Sequence, residues 1–293
     1  MFVRVATIVL PIFAIVALGY LYARRKQPQM AAVNQINMDV FIPALIFYVL
    51  SRREFSLDAY VDLALAGIVV VLGSGLLAYP VARKIGCDWR TFVPPMMFTN
   101  YGNLGLPLFV FAFGDSALSA AVVLFIAGNF LHFSLGRYLL DHSLHPLELL
   151  RSPILLASII GLLFSIMRWH LPPALAIPIE MLGQVSIPLL LFSLGVRLID
   201  IDWRDWRLGL IAAVVCPAVG LIMAVVAAPL FTLGDLQTRQ LLLFGALPPA
   251  VLNFLFAEQF NQEPGKVASI VMIGNLSSVL VIPLMLALLL RPA

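Results

Sequence analysis

The chain repeats itself. Val40-Phe41-Ile42-Pro43-Ala44-Leu45-Ile46-Phe47 recurs as Val185-Ser186-Ile187-Pro188-Leu189-Leu190-Leu191-Phe192, an offset of 145, and Gly128-Asn129 recurs as Gly274-Asn275, an offset of 146. Two matches at nearly one offset imply two structural halves, 1–146 and 147–293, with the seam near 147. Each half reads as five apolar spans. An odd number of crossings turns the second half upside down relative to the first. The expected fold is therefore an all-α integral membrane protein of ten transmembrane helices, built as two inverted five-helix repeats. Inverted repeats with prolines in corresponding spans point to a secondary transporter with its site at the repeat interface.

Composition supports a membrane chain. It is 62% hydrophobic and 11% charged, with a mean hydropathy of +1.02, against about 45–50% apolar and about 25% charged in soluble domains. A spanning helix needs about 20 apolar residues. Candidate spans fall at 2–23, 31–51, 59–82, 91–112 and 116–139, then at 152–169, 174–198, 207–232, 238–260 and 265–290. The first is too long, and too basic at its end (Arg24-Arg25-Lys26), for a cleaved signal peptide. Loops after the odd-numbered spans hold twelve Lys and Arg, and the opposite side holds six: Arg4, Arg52, Arg53, Arg168, Arg239 and Arg291. The positive-inside rule puts the odd-numbered loops in the cytoplasm and both termini outside a cell membrane, with Arg52-Arg53 against the trend. A net charge of +3 is too small to suggest a nucleic-acid partner. Cys87 and Cys216 have no metal-ligand spacing, and no disulfide is expected of them.

Two spans should break. The fourth carries Thr99-Asn100-Tyr101-Gly102-Asn103-Leu104-Gly105-Leu106-Pro107, and the ninth carries Gly245-Ala246-Leu247-Pro248-Pro249-Ala250-Val251-Leu252-Asn253. Gly costs about 1 kcal/mol and Pro about 3 kcal/mol against Ala inside a helix. An unwound segment persists at membrane depth only where protein buries it or it lines a watery cavity. The broken spans should cross, presenting half-helix N-termini whose free N–H groups and partial positive charge suit a carboxylate. Asn100, Tyr101, Asn103, Pro107, Pro248, Pro249 and Asn253 are the candidate substrate-binding residues of the breaks. Asn129 and Asn275, and Pro43 and Pro188, join them as symmetric positions flanking the crossing.

These residues resemble the auxin efflux carrier family, including its bacterial permeases. Ala246-Leu247-Pro248, Phe254, Phe256-Ala257, Phe260-Asn261 and Pro264 are similar to the family's A-L-P, F-x-F-A, aromatic-Asn and Pro pattern. Asn100 with Gly105-Leu106-Pro107-Leu108, Phe192-Ser193-Leu194-Gly195 and Ser152-Pro153 match further family segments in order. The resemblance implies crossing broken helices, elevator-like alternating access and export of small organic anions. It makes Asn100 the substrate-contacting Asn and Pro107 the crossover Pro. Asn253 stands where plant carriers have a second crossover Pro, and the plant carriers' long loop at the seam and charged pair in the third span are absent. Those departures favour a general carboxylate carrier over an auxin carrier.

The remaining polar residues read mainly as structure. His132 suits a hydrogen-bonded core imidazole or a protonation switch, and Glu258 a snorkelling acid or a coupling-proton carrier. His142-x-x-His145 has metal-like spacing but no Cys partners, so no cofactor or metal is expected. No Walker-type phosphate loop and no convergent catalytic set is present, so an enzyme is not expected. The rival functions are a sodium-coupled organic-anion symporter of the bile-acid type and a channel or sensory membrane module. Proton or sodium coupling and a homodimer both stay open at this level.

Overall fold

The computed structural model describes residues 2–52, 55–141, 152–200 and 204–290. The seam and the His142/His145 pair lie outside them. The described chain is helical, with one isolated β-bridge and no strand beyond it. Helices α1 (Phe2–Lys26), α2 (Ala31–Ser51), α3 (Val61–Lys84), α4 (Trp89–Met97), α5 (Tyr101–Phe113) and α6 (Asp115–Asp141) precede the seam. After it come α7 (Pro153–Ile166), α8 (Pro173–Arg197), α9 (Trp206–Leu230), α10 (Asp235–Gly245), α11 (Leu252–Gln259) and α12 (Pro264–Leu289). Seven of these, α1, α2, α3, α6, α8, α9 and α12, are long and apolar enough to cross a membrane. Their outward faces carry exposed aliphatics such as Leu76, Val214, Leu280 and Leu288. Such a surface is unstable in water and ordinary in lipid.

The helices pack as two groups. Helix α8 lies against α1 and α2, and α2 lies against α7. In the second group α9 packs on α3, α10 and α12, α3 on α4 and α6, and α11 on α12.

The two expected breaks are present. Helix α4 ends at Met97, Phe98 is extended, and α5 starts at Tyr101. Helix α10 ends at Gly245 and α11 starts at Leu252. A residue preceding Pro is pushed out of the α region, so Pro248 and Pro249 keep their stretch open. The two open stretches pair as an antiparallel bridge, Thr99 with Pro249. Asn100 N donates to Pro248 O at 2.7 Å, and Ala250 N donates to Phe98 O at 2.9 Å. Those bonds satisfy main-chain groups that the missing helical turns leave orphaned at buried depth.

The break sits earlier than the Gly/Pro cluster suggests. Pro107 is not in the unwound stretch; it is the second residue of the α-helical part of α5, after a wide π-turn at Tyr101–Gly105. Pro43 stands in the same relation to a π-turn at Asn37–Phe41 within α2. In each case the wide turn precedes Pro by two residues. A prolyl ring has no N–H and clashes with the carbonyl four residues back, and a widened turn accommodates both. Asn253 also differs from expectation: it is the second residue of α11, on helix and not in the open stretch. Pro188 lies inside α8.

Candidate functional site

A cavity of about 570 Å³ lies between the two helix groups. Its rim includes Pro28 and Met30 in the loop after α1 and Arg197 at the end of α8. One wall carries Asn34, Gln35 and Asn37 of α2 and Leu190 of α8. The other carries Thr99, Asn100, Tyr101, Gly102 and Asn103, with Phe125, Asn129 and His132 of α6, and the stretch Ala250-Val251-Leu252 with Leu255. Three π-turns occur among the described residues, at Asn37–Phe41, Tyr101–Gly105 and His132–Gly136, and each contributes residues to this cavity. Such turns expose main-chain groups that a regular helix would consume, and they recur at functional sites.

Two helix starts face the cavity. Helix α5 begins at Tyr101 and α11 at Leu252, and residues of both first turns line the space. The first amides of a helix have no acceptor within it and carry its partial positive charge; at α11 those of Asn253, Phe254 and Leu255 bond to Ala250 O and Val251 O, while Gly102 and Asn103 of α5 have no such main-chain bond. The only side chain with a formal charge among the lining residues is Arg197. The rest of the polar lining is amide, hydroxyl and imidazole. Buried atoms there with no hydrogen-bond partner include Asn37 Oδ1, Thr99 Oγ1 and His132 Nε2. Donors and a cation thus converge on a concave space in the usual range for small-molecule sites.

The crossing itself is held by side-chain amides. Asn100 Nδ2 donates to Asn275 Oδ1 at 2.8 Å. Asn275 Nδ2 donates to Pro249 O at 2.9 Å and to Val271 O at 2.8 Å. Asn253 Nδ2 donates to Phe98 O at 2.8 Å and to Ala250 O at 2.9 Å. The Tyr101 hydroxyl donates to Met97 O at 2.8 Å, tying α5 back to α4, and its ring stacks on Phe244. The repeated glycines explain themselves here. A Cβ on Gly128 would stand 2.4 Å from the Tyr101 ring, and one on Gly274 would stand 2.6 Å from Pro249. Gly128 thus lets α6 approach the start of α5, and Gly274 lets α12 approach the open stretch at Pro249.

The expected residues separate into two sets. Asn100, Tyr101, Asn103 and Asn129 line the cavity. Pro248, Pro249, Asn253 and Asn275 build the crossing behind it, and Pro107, Pro43 and Pro188 are not among the lining residues. The symmetric pair Asn129 and Asn275 has diverged, one facing the cavity and the other bridging helices. His132 is buried, stacked on Phe98 with ring centroids 4.3 Å apart and edge-on to Phe256. Sequence reasoning missed Asn34, Gln35, Asn37 and Arg197. The Asn37 signal was available: Pro43 follows it by six residues, as Pro107 follows Tyr101. No cluster of three His, Cys, Asp or Glu able to hold a metal occurs among the described residues.

A second polar network lies where the loops at residues 85–88 and 261–263 meet. Thr91 Oγ1 donates to Glu263 Oε2 at 2.6 Å, Gln262 Nε2 donates to Asp88 and Thr91, and Lys266 pairs with Glu263. The bonds from Lys266 and Thr91 hold the Glu263 carboxyl below its usual range. Burial, aided by the Glu263 charge, pushes the Cys87 thiol up, so it is a poor nucleophile.

A family described as membrane transport protein matches residues 4–148 and 139–286. An uncharacterized transporter of Methanocaldococcus jannaschii is 23% identical over 94% of this chain and 96% of its own length. A protein of Rhizobium meliloti named "Putative malonate transporter" is 23% identical over 94% of this chain and 93% of its own. Auxin efflux carrier component 3 of Arabidopsis thaliana is 30% identical over 44% of this chain and 21% of its own length. The chain is a membrane transporter and belongs to the auxin efflux carrier family.

Proposed function

We propose that the protein is a secondary carrier of a small organic anion, with a dicarboxylate such as malonate as the first substrate to test. One observation carries this reading: two half-helix N-termini and the Arg197 guanidinium line one cavity. A carboxylate accepts from the amides of Gly102 and Asn103 at the start of α5, with the Asn100 and Asn103 side chains alongside, while the α11 end contributes its partial positive charge. A second carboxylate suits Arg197, whose planar fork can bind it through two bonds. The name of the Rhizobium meliloti relative supports the choice of malonate.

The finer architecture belongs to the same proposal. Counting α4 with α5 and α10 with α11 as broken spans gives ten, in two inverted halves at 1–146 and 147–293. The mutual roles of Gly128 and Gly274 support that symmetry. Alternating access is then an elevator motion of the α3–α6 and α9–α12 group against α1, α2, α7 and α8. The Lys and Arg asymmetry supports an inner-membrane orientation with both termini outside and the cavity open to the cytoplasm.

Counterflow in liposomes tests the reading. Vesicles preloaded with malonate should accumulate labelled malonate transiently, with a rate that saturates. Linear flux without counterflow would make the protein a channel. Failure of every mono- and dicarboxylate in a binding screen would remove the anion.

A further inference from the structure

A second pocket lies at the other end of the helices that form the cavity's smaller wall. Helix α2 starts at the cavity and ends here at Ser51, about 30 Å away at 1.5 Å per residue. The pocket holds about 530 Å³ between the end of α2 and the end of α7, and it is lined by Arg52, Arg168 and His170, the acid Asp58 and several hydroxyls. Both arginines belong to the smaller set of basic residues, on the side of the membrane that the charge rule leaves poor in them.

Arg168 stands where the backbone wants Gly. Helix α7 ends in a Schellman motif: Trp169 N donates to Phe164 O at 2.9 Å and Arg168 N to Ser165 O at 3.1 Å. The Trp169 and Phe164 rings meet edge to face, the apolar contact that completes the motif. Arg168 occupies its left-handed position, with φ +53°. The same bond pattern closes α3 with Gly86 at φ +68° and α11 with Asn261 at φ +52°. Gly and Asn tolerate that conformation; a long side chain pays for it. A cation near a helix C-terminus gains less than the left-handed backbone costs. The strained turn places Arg168 on the lining of the pocket. Arg52 faces the same pocket, with its guanidinium 5.4 Å from the centre of the Tyr48 ring.

We propose that this pocket is a second anion site, on the membrane face opposite the main cavity, where Arg168 and Arg52 hold a carboxylate entering or leaving the carrier. The identity of the occupant rests on the carrier reading above; the site itself does not.

The test uses purified protein in phosphatidylcholine nanodiscs, with Trp89, Trp203 and Trp206 changed to Phe. Trp169, which lines the pocket, is then the sole tryptophan. Malonate should change its fluorescence saturably. Arg168→Gly should weaken that response about tenfold or more while leaving the unfolding temperature equal or higher, because Gly relaxes the turn. Arg168→Lys should restore most of it. Arg197→Gln should leave the Trp169 response intact, so failure of the main cavity and failure of this site are distinguishable. An unchanged response in Arg168→Gly overturns the proposal, as does no saturable response in the parent protein. A response to phosphatidylglycerol in the nanodisc and none to malonate would also overturn it, making the pocket a lipid headgroup contact.

Discussion

Removing Asn275 should loosen the crossing more than removing its partner Asn100. The Asn275 side chain makes three bonds. The one to Val271 O runs within its own helix, to a carbonyl that a helical amide also uses. The other two, to Asn100 and Pro249, hold the open stretches. Polar bonds between helices in membrane proteins average about 0.6 kcal/mol and reach about 1.7 kcal/mol, so the pair contributes about 1–3 kcal/mol. Truncation to Ala also strands the Pro249 carbonyl, and a buried unpaired group costs about 1–3 kcal/mol in a protein interior. Asn100 Nδ2 also loses its acceptor, but Asn100 borders the cavity. Asn275→Ala should thus destabilise by about 2–6 kcal/mol, and Asn100→Ala, which breaks one shared bond, by about 1–2 kcal/mol.

Reversible unfolding of both single mutants and the double mutant in mixed micelles measures this directly. The double mutant should be less destabilised than the sum by about 0.6–1.7 kcal/mol. Malonate binding on the same proteins gives the functional half: Asn100→Ala should lose about 10- to 150-fold in affinity, Asn275→Ala less, and Asn261→Ala nothing. Additive destabilisation within about 0.3 kcal/mol would refute the clamp, and wild-type affinity in folded Asn100→Ala would refute its place in the site.

Arg197→Gln should weaken malonate about 10- to 150-fold and acetate much less in a competition assay; equal losses would deny Arg197 a second carboxylate. Gly128→Ala and Gly274→Ala should each impair folding or transport, because the added Cβ meets the Tyr101 ring or Pro249 below contact distance; normal counterflow in both would show that those helices shift freely. Pro107→Ala should slow transport with little loss of stability, since a regular turn in place of Tyr101–Gly105 re-aims Gly102 and Asn103. Glu263 titrates below its ordinary value of 4.5 because Lys266 and Thr91 bond its carboxylate; that stabilisation is present above 4.5 and is lost as pH falls through the lowered value. An acid unfolding profile should show this, and Glu263→Gln should remove that part of it.

The breaks were legible because Pro and Gly act locally. Pro248-Pro249 dictate an extended stretch from chemistry confined to three residues. The position of the first break was not legible, because Phe98–Asn100 stays out of the helix only by pairing with its partner 150 residues later. The cluster from Gly102 to Pro107 advertises a break and instead makes a wide turn. Asn253 was misplaced for a related reason: two prolines end one helix, and nothing after them prevents the next from starting at Leu252. Arg197 was counted as a loop charge, a role its position at a helix end allows. Only the packing of α8 against the Tyr101–Gly105 turn brings it to the cavity.

The hydrogen bonds at the crossing also discriminate between two ways of moving. If the sequence halves rocked against each other, the bonds joining them would have to break. Asn100 N to Pro248 O, Ala250 N to Phe98 O, Asn253 Nδ2 to Phe98 O and Asn100 Nδ2 to Asn275 Oδ1 all join residues before the seam to residues after it. At about 0.5–1.5 kcal/mol each, rupturing all four costs about 2–6 kcal/mol, and buried partners would then stay unpaired. Sliding one helix group past the other breaks none of them, because all their residues lie in the α3–α6 and α9–α12 group. The opposite wall contributes chiefly Asn34, Gln35, Asn37 and Arg197 to the cavity. An anion held between the walls would therefore be carried by the clamped group and released by contacts that separate at the group boundary. That division of labour favours an elevator over a rocking mechanism on energetic grounds.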